Sequence, residues 1–207
     1  MKGRNMENFR IIPVGALAVN CYLIYEETEK LLLIVDPGDD ADLIVSVAKS
    51  FPFEHCAILL THAHVDHIGA VPEVKKTLNA EFVYLAQGDE AMYKSPENHI
   101  LPYLPPVADL PETTDNWPYK NIKRLFTPGH SQGGSCFYFP ERKLLISGDT
   151  LFAGSVGRTD LPGGSFATLE ESIRKTLLTL PEETVVYPGH GPRTTIGAEK
   201  RSNPYLT

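Results

Sequence analysis

Cysteine is scarce in this 207-residue sequence, which contains three of them, Cys21, Cys56 and Cys136. None belongs to a CxxC pair, and an odd, sparse set cannot form a complete disulfide framework. This excludes the class of small secreted proteins that disulfides hold together. Since free thiols persist in a reducing compartment, the sequence predicts a cytoplasmic protein.

Long apolar runs and clusters of positive charge are also missing. No stretch approaches the roughly 18 apolar residues of a membrane-spanning helix, and the first residues lack the apolar core of a signal peptide. The 19 basic residues are outnumbered by 26 acidic ones, which gives a net charge of −7. We therefore expect a small-molecule substrate as the partner, and neither a membrane nor a nucleic acid. The sequence leaves the oligomeric state open.

What is present is an alternation of apolar strand-like runs and amphipathic helices, which predicts an α/β protein. Strands are expected at 10–16, 20–25, 31–35, 57–60, 82–85, 122–126, 135–139, 143–147 and 184–187. Helices are expected at 39–50, 69–77 and 168–180. We expect Asp39 to cap the first helix, whose inward-facing residues would be Leu43, Ile44, Val47 and Ala48. The last helix is expected to begin at Thr168, which has the spacing of a capping box with Glu171.

Residues 94–118 contain six prolines and predict a long irregular loop. Loops of this length in compact domains commonly form lids or binding loops. Because too little chain lies on either side for two independent cores, we expect a single domain over residues 1–207.

A run of potential metal ligands follows the strand expected at 57–60, Thr61-His62-Ala63-His64-Val65-Asp66-His67. A regular helix or strand cannot direct all four ligand side chains to one ion, because successive residues point in different directions. A loop can give His62 and His64 to one metal, and Asp66 and His67 to a second. The motif therefore indicates two metal ions.

Three further candidates follow strands in the second half of the chain. His130 and His190 each end a Pro-Gly-His turn, in which proline ends the strand and glycine permits a tight turn. Asp149 lies in a Gly-Asp turn, and its two carboxylate oxygens could bridge two cations. The complete set of seven ligands favours a binuclear site.

Other polar residues have a simpler interpretation. His55 and His99 are expected to be ordinary core or surface histidines. Asp36, in an Asp-Pro-Gly turn, is expected to support the turn or a ligand from behind, with direct metal contact as the less favoured alternative. Cys136 is expected in the core.

The HxHxDH motif, the two later histidines and the Gly-Asp turn resemble the signature of the metallo-β-lactamase superfamily over nearly the whole chain. This resemblance implies an αββα sandwich, in which two facing mixed β-sheets are flanked by helices and the metals lie at one edge. Residues 148–164 and the ending Asn203-Pro204-Tyr205-Leu206 are similar to the short, single-domain glyoxalase II-like (hydroxyacylglutathione hydrolase-like) hydrolases. The resemblance implies a first metal on His62, His64 and His130, a second on Asp66, His67 and His190, and Asp149 as the bridge.

Five histidines and two carboxylates without a thiolate favour zinc as the cofactor, and iron or manganese would accept the same ligands. A water that bridges two such ions has its pKa lowered from 15.7 toward about 7, which makes hydroxide available as the nucleophile. Asp66 is expected to orient this hydroxide as well as to bind metal, and it is the candidate catalytic residue. Ser131, Ser147 and Ser155 lie near ligands but have no free histidine as a base.

The expected leaving group is a thiolate. With a pKa of about 8.5 it departs without a strong general acid, whereas an amide nitrogen must be protonated, and the sequence offers no obvious acid. The leaving group therefore favours hydrolysis of S-acyl thioesters, with lactones and other activated esters as alternatives. The resemblance implies that these thioesters are of the lactoylglutathione type. Because the true β-lactamases of the superfamily mostly carry Cys where Asp149 stands, β-lactam hydrolysis is disfavoured.

The resemblance also implies one substrate contact. Arg158 keeps the charge of a lysine that binds the glutathione carboxylate in larger glyoxalase II enzymes, and it is the candidate substrate-binding residue. Asp160 and Pro192 replace two tyrosines of those enzymes, and only 17 residues follow His190 where they carry an added helical domain. An ion pair between Arg158 and Asp160 that stabilises the turn is an equally good interpretation.

Three other function classes stay open. Iron-dependent persulfide dioxygenases resemble the HxHxDH and Gly157-Arg158-Thr159-Asp160 stretches, and His62, His130 and Asp149 would then form a two-His-one-carboxylate face. A non-enzymatic binding module on the same fold would commonly have lost ligands, and this chain keeps all seven. A nuclease would need a basic surface, which a net charge of −7 does not favour.

Overall fold

The structure is a computed structural model, and it describes residues 8–99, 102 and 104–207. By its internal contacts the chain divides into two compact units. The first comprises Met1–Leu85 and Glu90–Asp115, and the second comprises Ala86–Asp89 and Asn116–Thr207. Each unit has its own sheet and its own hydrophobic core. A single folding domain over the whole chain stays a prediction.

The first unit is built on a five-stranded sheet of order β1-β2-β3-β4-β5. Its strands are β1 (Phe9–Val14), β2 (Val19–Glu26), β3 (Leu31–Val35), β4 (His55–Leu59) and β5 (Val83–Tyr84). Its helices are α1 (Ala41–Ala48), α2 (Val65–Ile68), α3 (Val71–Leu78) and α4 (Glu90–Tyr93). The first two pairings are antiparallel and the last two are parallel, which makes the sheet mixed. Every residue of β3, Leu-Leu-Leu-Ile-Val, is buried, as expected for a strand with both faces covered.

The second unit is built on a sheet of order β12-β11-β8-β7-β6. Its strands are β6 (Lys123–Phe126), β7 (Ser135–Phe139), β8 (Leu144–Gly148), β11 (Val185–Pro188) and β12 (Thr194–Thr195), and a small hairpin consists of β9 (Leu151–Phe152) and β10 (Ser155–Val156). Its helices are α5 (Phe166–Lys175) and α6 (Ile196–Ser202). The β8–β11 pair is parallel and the other pairings of this sheet are antiparallel.

The predicted fold class is confirmed, because the chain forms mixed sheets with flanking helices. Cys136, expected in the core, is buried in the second unit together with Leu169 and Ile173 of α5 and with Leu177, which follows that helix. The described part of the 94–118 segment is irregular, and its residues 100, 101 and 103 lie outside the described residues. Within the described residues, no helix combines the length and the hydrophobicity needed to cross a membrane.

The buried face of α1 and the starts of α1 and α5 differ from the sequence prediction. The buried residues of α1 are Ile44, Val45 and Ala48, while Leu43, expected inward, is 47% exposed. The buried face of this short helix is therefore rotated away from Leu43 and toward Val45, while Ile44 and Ala48 lie inward as expected.

The second difference concerns the helix starts. Asp40, rather than Asp39, stands at the α1 N-cap, with a left-handed backbone. The α5 helix begins at Phe166 because Ser165 caps it, with the Ser165 hydroxyl oxygen accepting a hydrogen bond from the Thr168 N–H. The helix therefore starts three residues before the start that the Thr168 capping box predicts.

Candidate functional site

The first group of predicted ligands follows β4 in the first unit. The loop expected over 61–67 is partly helical, because α2 contains both Asp66 and His67. His64 stands at its N-cap with an extended backbone, φ −61° and ψ 145°. The change from extended chain to helix thus separates His62 and His64 from Asp66 and His67, at the same point as the predicted division between two metals.

Asp36 supports this group from behind, in the role expected for it. It is fully buried, and its carboxylate accepts hydrogen bonds from the Thr61 N–H at 2.8 Å and the Thr61 hydroxyl at 2.6 Å. Nδ1 of His67 lies 3.0 Å from the same carboxylate. A carboxylate on Nδ1 keeps the proton on that nitrogen, so that Nε2 presents its lone pair.

His62 is held in the same tautomer through Thr61. The Thr61 hydroxyl donates to Asp36, so its oxygen accepts from Nδ1 of His62, 3.0 Å away. The ring centroid of His62 lies 4.7 Å from that of His64 and 4.1 Å from that of His67. Neutral imidazoles that present Nε2 at such close range form the donor set that a divalent metal ion prefers.

The Asp-Pro-Gly turn also shapes the backbone of α2. The N–H of Ala70 donates to the carbonyl oxygen of Pro37 at 2.9 Å. A Cβ atom at Gly38 would overlap the carbonyl oxygen of Asp66, so only glycine fits there. The turn after β3 and the ligand-bearing helix after β4 are therefore packed backbone to backbone.

The second group of predicted ligands lies at one edge of the second sheet. β8 and β11 are parallel, and Asp149 and His190 follow their carboxyl ends. β6 runs in the direction of β8, since each is antiparallel to β7, and His130 follows β6. Oδ2 of Asp149 lies 3.7 Å from Nε2 of His130 and 3.7 Å from Nε2 of His190.

These separations suit ligands of a cation better than a hydrogen bond. A hydrogen bond between nitrogen and oxygen is about 2.9 Å long, whereas two ligands at about 2.1 Å on a tetrahedral ion lie about 3.4 Å apart. Nδ1 of His130 donates to the carbonyl oxygen of Arg158 at 2.7 Å, which again leaves Nε2 as the ligand atom. The residues of this group therefore fit a metal.

Helix α5 holds the turn that carries His130. Gly129 has φ 132°, and a Cβ atom there would overlap the backbone of Leu169. The N–H of Ser165 donates to the carbonyl oxygen of Gly129 at 2.7 Å, and the Ser172 hydroxyl donates to that of Pro128 at 2.8 Å. The Pro-Gly-His turn thus requires glycine for both its conformation and its close approach to the helix.

Asp89 is a buried site-supporting residue that the sequence prediction missed. Its carboxylate accepts hydrogen bonds from the Ser131 hydroxyl at 2.7 Å and the Gly133 N–H at 2.6 Å. It thereby anchors the chain directly after His130. The segment Gln87-Gly88-Asp89 carries no motif that could have pointed to this role, because the partners are more than 40 positions away.

Asn203, in the C-terminal sequence that resembles the short glyoxalase II-like hydrolases, has a structural role. Glu199 in α6 is buried and accepts from the Gly154 N–H at 2.9 Å and from Nδ2 of Asn203 at 2.7 Å. Asn203 also donates to the carbonyl oxygen of Ser155 at 3.0 Å. The C-terminal residues therefore hold the β9–β10 hairpin.

The guanidinium of Arg158 lies against Asp160. Nε and Nη2 donate to the two carboxylate oxygens at 2.8 and 2.7 Å, and both side chains are largely exposed. The Arg158 guanidinium lowers the pKa of Asp160 to about 2. The turn-stabilising pair is thus present, and a substrate contact by Arg158 stays a prediction. His55 is a surface residue, as expected, with Nδ1 2.6 Å from Glu81.

The comparisons with known proteins agree with this chemistry. The family model described as "Metallo-beta-lactamase superfamily" matches residues 14–190. The chain is 38% identical over 208 residues to "Hydroxyacylglutathione hydrolase GloC" of Haemophilus influenzae, covering 96% of this chain and 98% of that protein.

Two solved structures extend the likeness to the fold. One is described as BLEG-1 B3 metallo-beta-lactamase, with a TM-score of 0.86, 38% identity, and coverage of 96% of this chain and 99% of that one. The other is described as TTHA1623 in a di-iron-bound form, with a TM-score of 0.83, 37% identity, and coverage of 95% and 100%.

Proposed function

The chain belongs to the metallo-β-lactamase superfamily, and we propose that it is a hydrolase of S-acyl thioesters of the lactoylglutathione type that uses two bound metal ions. One observation carries the metal part of this proposal. Hydrogen bonds on Nδ1 of His62, His67 and His130 reserve Nε2 of each ring for an ion. The thioester part is supported by the name of the Haemophilus influenzae relative and by the leaving-group chemistry.

We assign the ligands as the resemblance implies. His62, His64 and His130 would hold the first ion, Asp66, His67 and His190 would hold the second, and the Asp149 carboxylate would serve both. The ligand chemistry supports zinc, and the di-iron form of a similar structure supports iron as the second choice. Bound there, two divalent ions supply an activated water at neutral pH and an electrophile for the substrate carbonyl.

Side chains of the protein orient the water, and no serine acts as the nucleophile. The Asp66 carboxylate orients the attacking water, and its side chain is 11% exposed. Ser131 and Ser147 do not compete as nucleophiles, because their hydroxyls donate to Asp89 and to the carbonyl oxygen of Leu151. The departing thiolate is stable without a proton from an acid.

We also propose a cytoplasmic location and a small-molecule thioester as the only partner that the function requires. The cysteines support the location, since Cys21, Cys56 and Cys136 are buried thiols. The net charge of −7 supports a function without nucleic acid.

Metal analysis combined with a substrate panel tests the proposal. The panel contains S-lactoylglutathione, a lactone, a β-lactam and, with oxygen uptake as the readout, glutathione persulfide. We expect close to two metals per chain, thiol release from the thioester, and loss of activity on chelation. If the protein cleaves the lactone or the β-lactam rapidly but leaves the thioester intact, the proposed substrate class is wrong. If a sample with one iron per chain takes up oxygen with glutathione persulfide, the protein is a dioxygenase and not a hydrolase.

Substitutions of ligands separate two-metal from one-metal chemistry. Asp149→Asn keeps the size of the side chain but removes its charge, so we expect a folded protein that loses at least one metal and most of its activity. His190→Ala should empty the second site selectively. His55→Ala, at an exposed histidine, is the control and should keep both metals. Full activity of His190→Ala with a single metal would refute the two-metal mechanism.

A further inference from the structure

A cavity of about 430 Å³ lies in the first unit, lined by residues of α2, α4 and the Pro-rich segment. Its volume falls within the range of roughly 300–1,000 Å³ that is usual for small-molecule sites. Six of its lining residues are apolar: Ile68, Pro96, Pro106, Val107, Ala108 and Leu110. The other lining residues are polar or charged, so only part of the wall offers an apolar surface to a ligand.

The charged groups of the cavity wall do not suit an anionic ligand. Nζ of Lys94 lies 2.9 Å from the carboxylate of Glu90 and 3.3 Å from that of Glu112, so two carboxylates balance its charge. Asp109 adds a further acidic side chain to the wall. The Tyr93 hydroxyl donates to the carbonyl oxygen of Pro111 at 3.2 Å. A carboxylate-bearing group such as glutathione would be repelled here, whereas an uncharged aliphatic group would be accommodated.

The wall of the cavity is connected to the predicted ligands of the first unit. Ile68, a lining residue, directly follows His67, which places their Cα atoms about 3.8 Å apart. Asn98, another lining residue, donates from Nδ2 to the carbonyl oxygen of Ala63 at 2.6 Å. Ala63 stands between His62 and His64. The cavity wall is therefore formed in part by the same backbone segments that carry the predicted ligands.

From this arrangement we infer that the cavity binds the acyl chain of the substrate, and that the preferred acyl group is aliphatic, uncharged and longer than lactoyl. The inference rests on the proposed thioester hydrolysis and specifies its substrate class. Each methylene that enters an apolar site should raise kcat/KM about fourfold. The thiol part of the substrate, which carries the charges in glutathione thioesters, stays outside the cavity.

The test uses the zinc-loaded full chain with acetyl, butyryl and hexanoyl thioesters of glutathione. Wild-type kcat/KM should rise along the series. Ala108→Trp, at an exposed wall residue, should lower the hexanoyl value more than tenfold and the acetyl value less than twofold. Ala91→Trp, at an exposed position of α4 that is not part of the wall, is the matched control and should follow the wild type. If Ala108→Trp does not fold, Ala108→Leu should give a smaller decrease in the same direction.

Binding to the metal-free protein provides a readout without catalysis. S-hexylglutathione, which cannot be hydrolysed, should bind the wild type in calorimetry more tightly than S-methylglutathione, and Ala108→Trp should abolish the difference. A flat chain-length series, or an equal decrease for all acyl groups in Ala108→Trp, would overturn the inference. If no thioester is cleaved but S-hexylglutathione still binds with this preference, the proposed reaction fails and the apolar site stands. If the two thioethers bind equally, the acyl site is refuted.

Discussion

At the scale of single residues, the site depends on a carboxylate that is not itself a proposed ligand. The Asp36 carboxylate accepts two hydrogen bonds from Thr61 and lies within hydrogen-bonding distance of Nδ1 of His67. Through the Thr61 hydroxyl it also determines that the proton of His62 is on Nδ1. Partners of this kind raise the basicity of the ligand nitrogen and orient the ring. One buried acidic residue therefore controls the tautomers of two histidines.

Asp36→Asn should weaken metal binding about 10- to 100-fold while the protein stays folded. The amide nitrogen of asparagine cannot accept a hydrogen bond, so either Thr61 or His67 loses its acceptor and His67 is free to change tautomer. Chelator competition measures the affinity. Asp39→Asn, in the exposed part of the same turn, is the control and should leave it unchanged. Equal affinities for the Asp36 variant and the wild type would show that this hydrogen-bond network does not prepare the ligands.

Arg158 and Asp160 present the opposite case, an exposed pair in which one partner is a candidate for substrate binding. Arg158 lowers the pKa of Asp160 from its ordinary value of 3.8 to about 2. A depressed carboxyl pKa means that the pair is fully formed above about pH 4 and is lost as the pH falls through about 2. At neutral pH a substrate carboxylate must therefore compete with Asp160 for the guanidinium.

Asp160→Asn should lower KM for a glutathione thioester about two- to fivefold, because an exposed ion pair of this strength no longer competes. Arg158→Ala should raise KM, and kcat should change little in both variants. If neither substitution changes KM, Arg158 serves the turn alone. The titration of Asp160 itself is followed by carboxyl chemical shifts in the wild type and should be centred near pH 2.

At the scale of elements, the proposed metal ligands follow strands, and helices or buried acidic residues hold the turns in place. The turn with His130 is fixed on one side by α5 and on the other by Asp89. The hairpin β9–β10 is fixed by Glu199 and Asn203 of the C-terminal region. These contacts make the ligand positions rigid without adding ligands.

Asp89→Ala should lower the free energy of unfolding by about 3 kcal/mol, because the buried donors of Ser131 and Gly133 lose a charged acceptor. Asp89→Asn keeps one acceptor oxygen and should cost less. Denaturant unfolding measures both, with Glu90→Ala as the exposed neighbouring control that changes stability by less than about 1 kcal/mol. An Asp89→Ala protein as stable as the wild type would contradict the anchoring role.

At the scale of the whole molecule, the chain consists of two compact units, each with a mixed sheet and a core. Each core contains cysteine: Cys21 and Cys56 are buried in the core of the first unit, and Cys136 is buried in the core of the second. Burial raises the pKa of Cys56 to about 12 and raises that of Cys21 well above its ordinary value. All three thiols should therefore resist modification in the folded protein.

Labelling with N-ethylmaleimide along a denaturant gradient, read by mass spectrometry, should show the three cysteines becoming reactive at one denaturant concentration. This outcome is expected because a single cooperative domain exposes both cores together. Reaction of Cys136 at a different concentration from Cys21 and Cys56 would show that the units unfold separately. The expected single domain would then be wrong.

The sequence by itself determined the α/β class, most strands, and the residue types of the proposed metal site. Apolar runs such as Leu31–Val35 identify buried strands without any tertiary information. The HxHxDH motif, the Pro-Gly-His turns and the Gly-Asp turn are local patterns, and local spacing together with donor chemistry is enough to predict metal ligands.

Tertiary structure alone decided how those ligands are supported. Asp36 meets Thr61 across 25 positions and His67 across 31, because the neighbouring parallel strands β3 and β4 bring their following turns to one edge of a sheet. Asp89 meets Ser131 across 42 positions. The short helix α2 and the rotated face of α1 also depend on packing, since helices this short take their boundaries and buried faces from their neighbours rather than from intrinsic propensity. Motif spacing carries no information about contacts of this range, and the tautomers of the ligand histidines follow from those contacts.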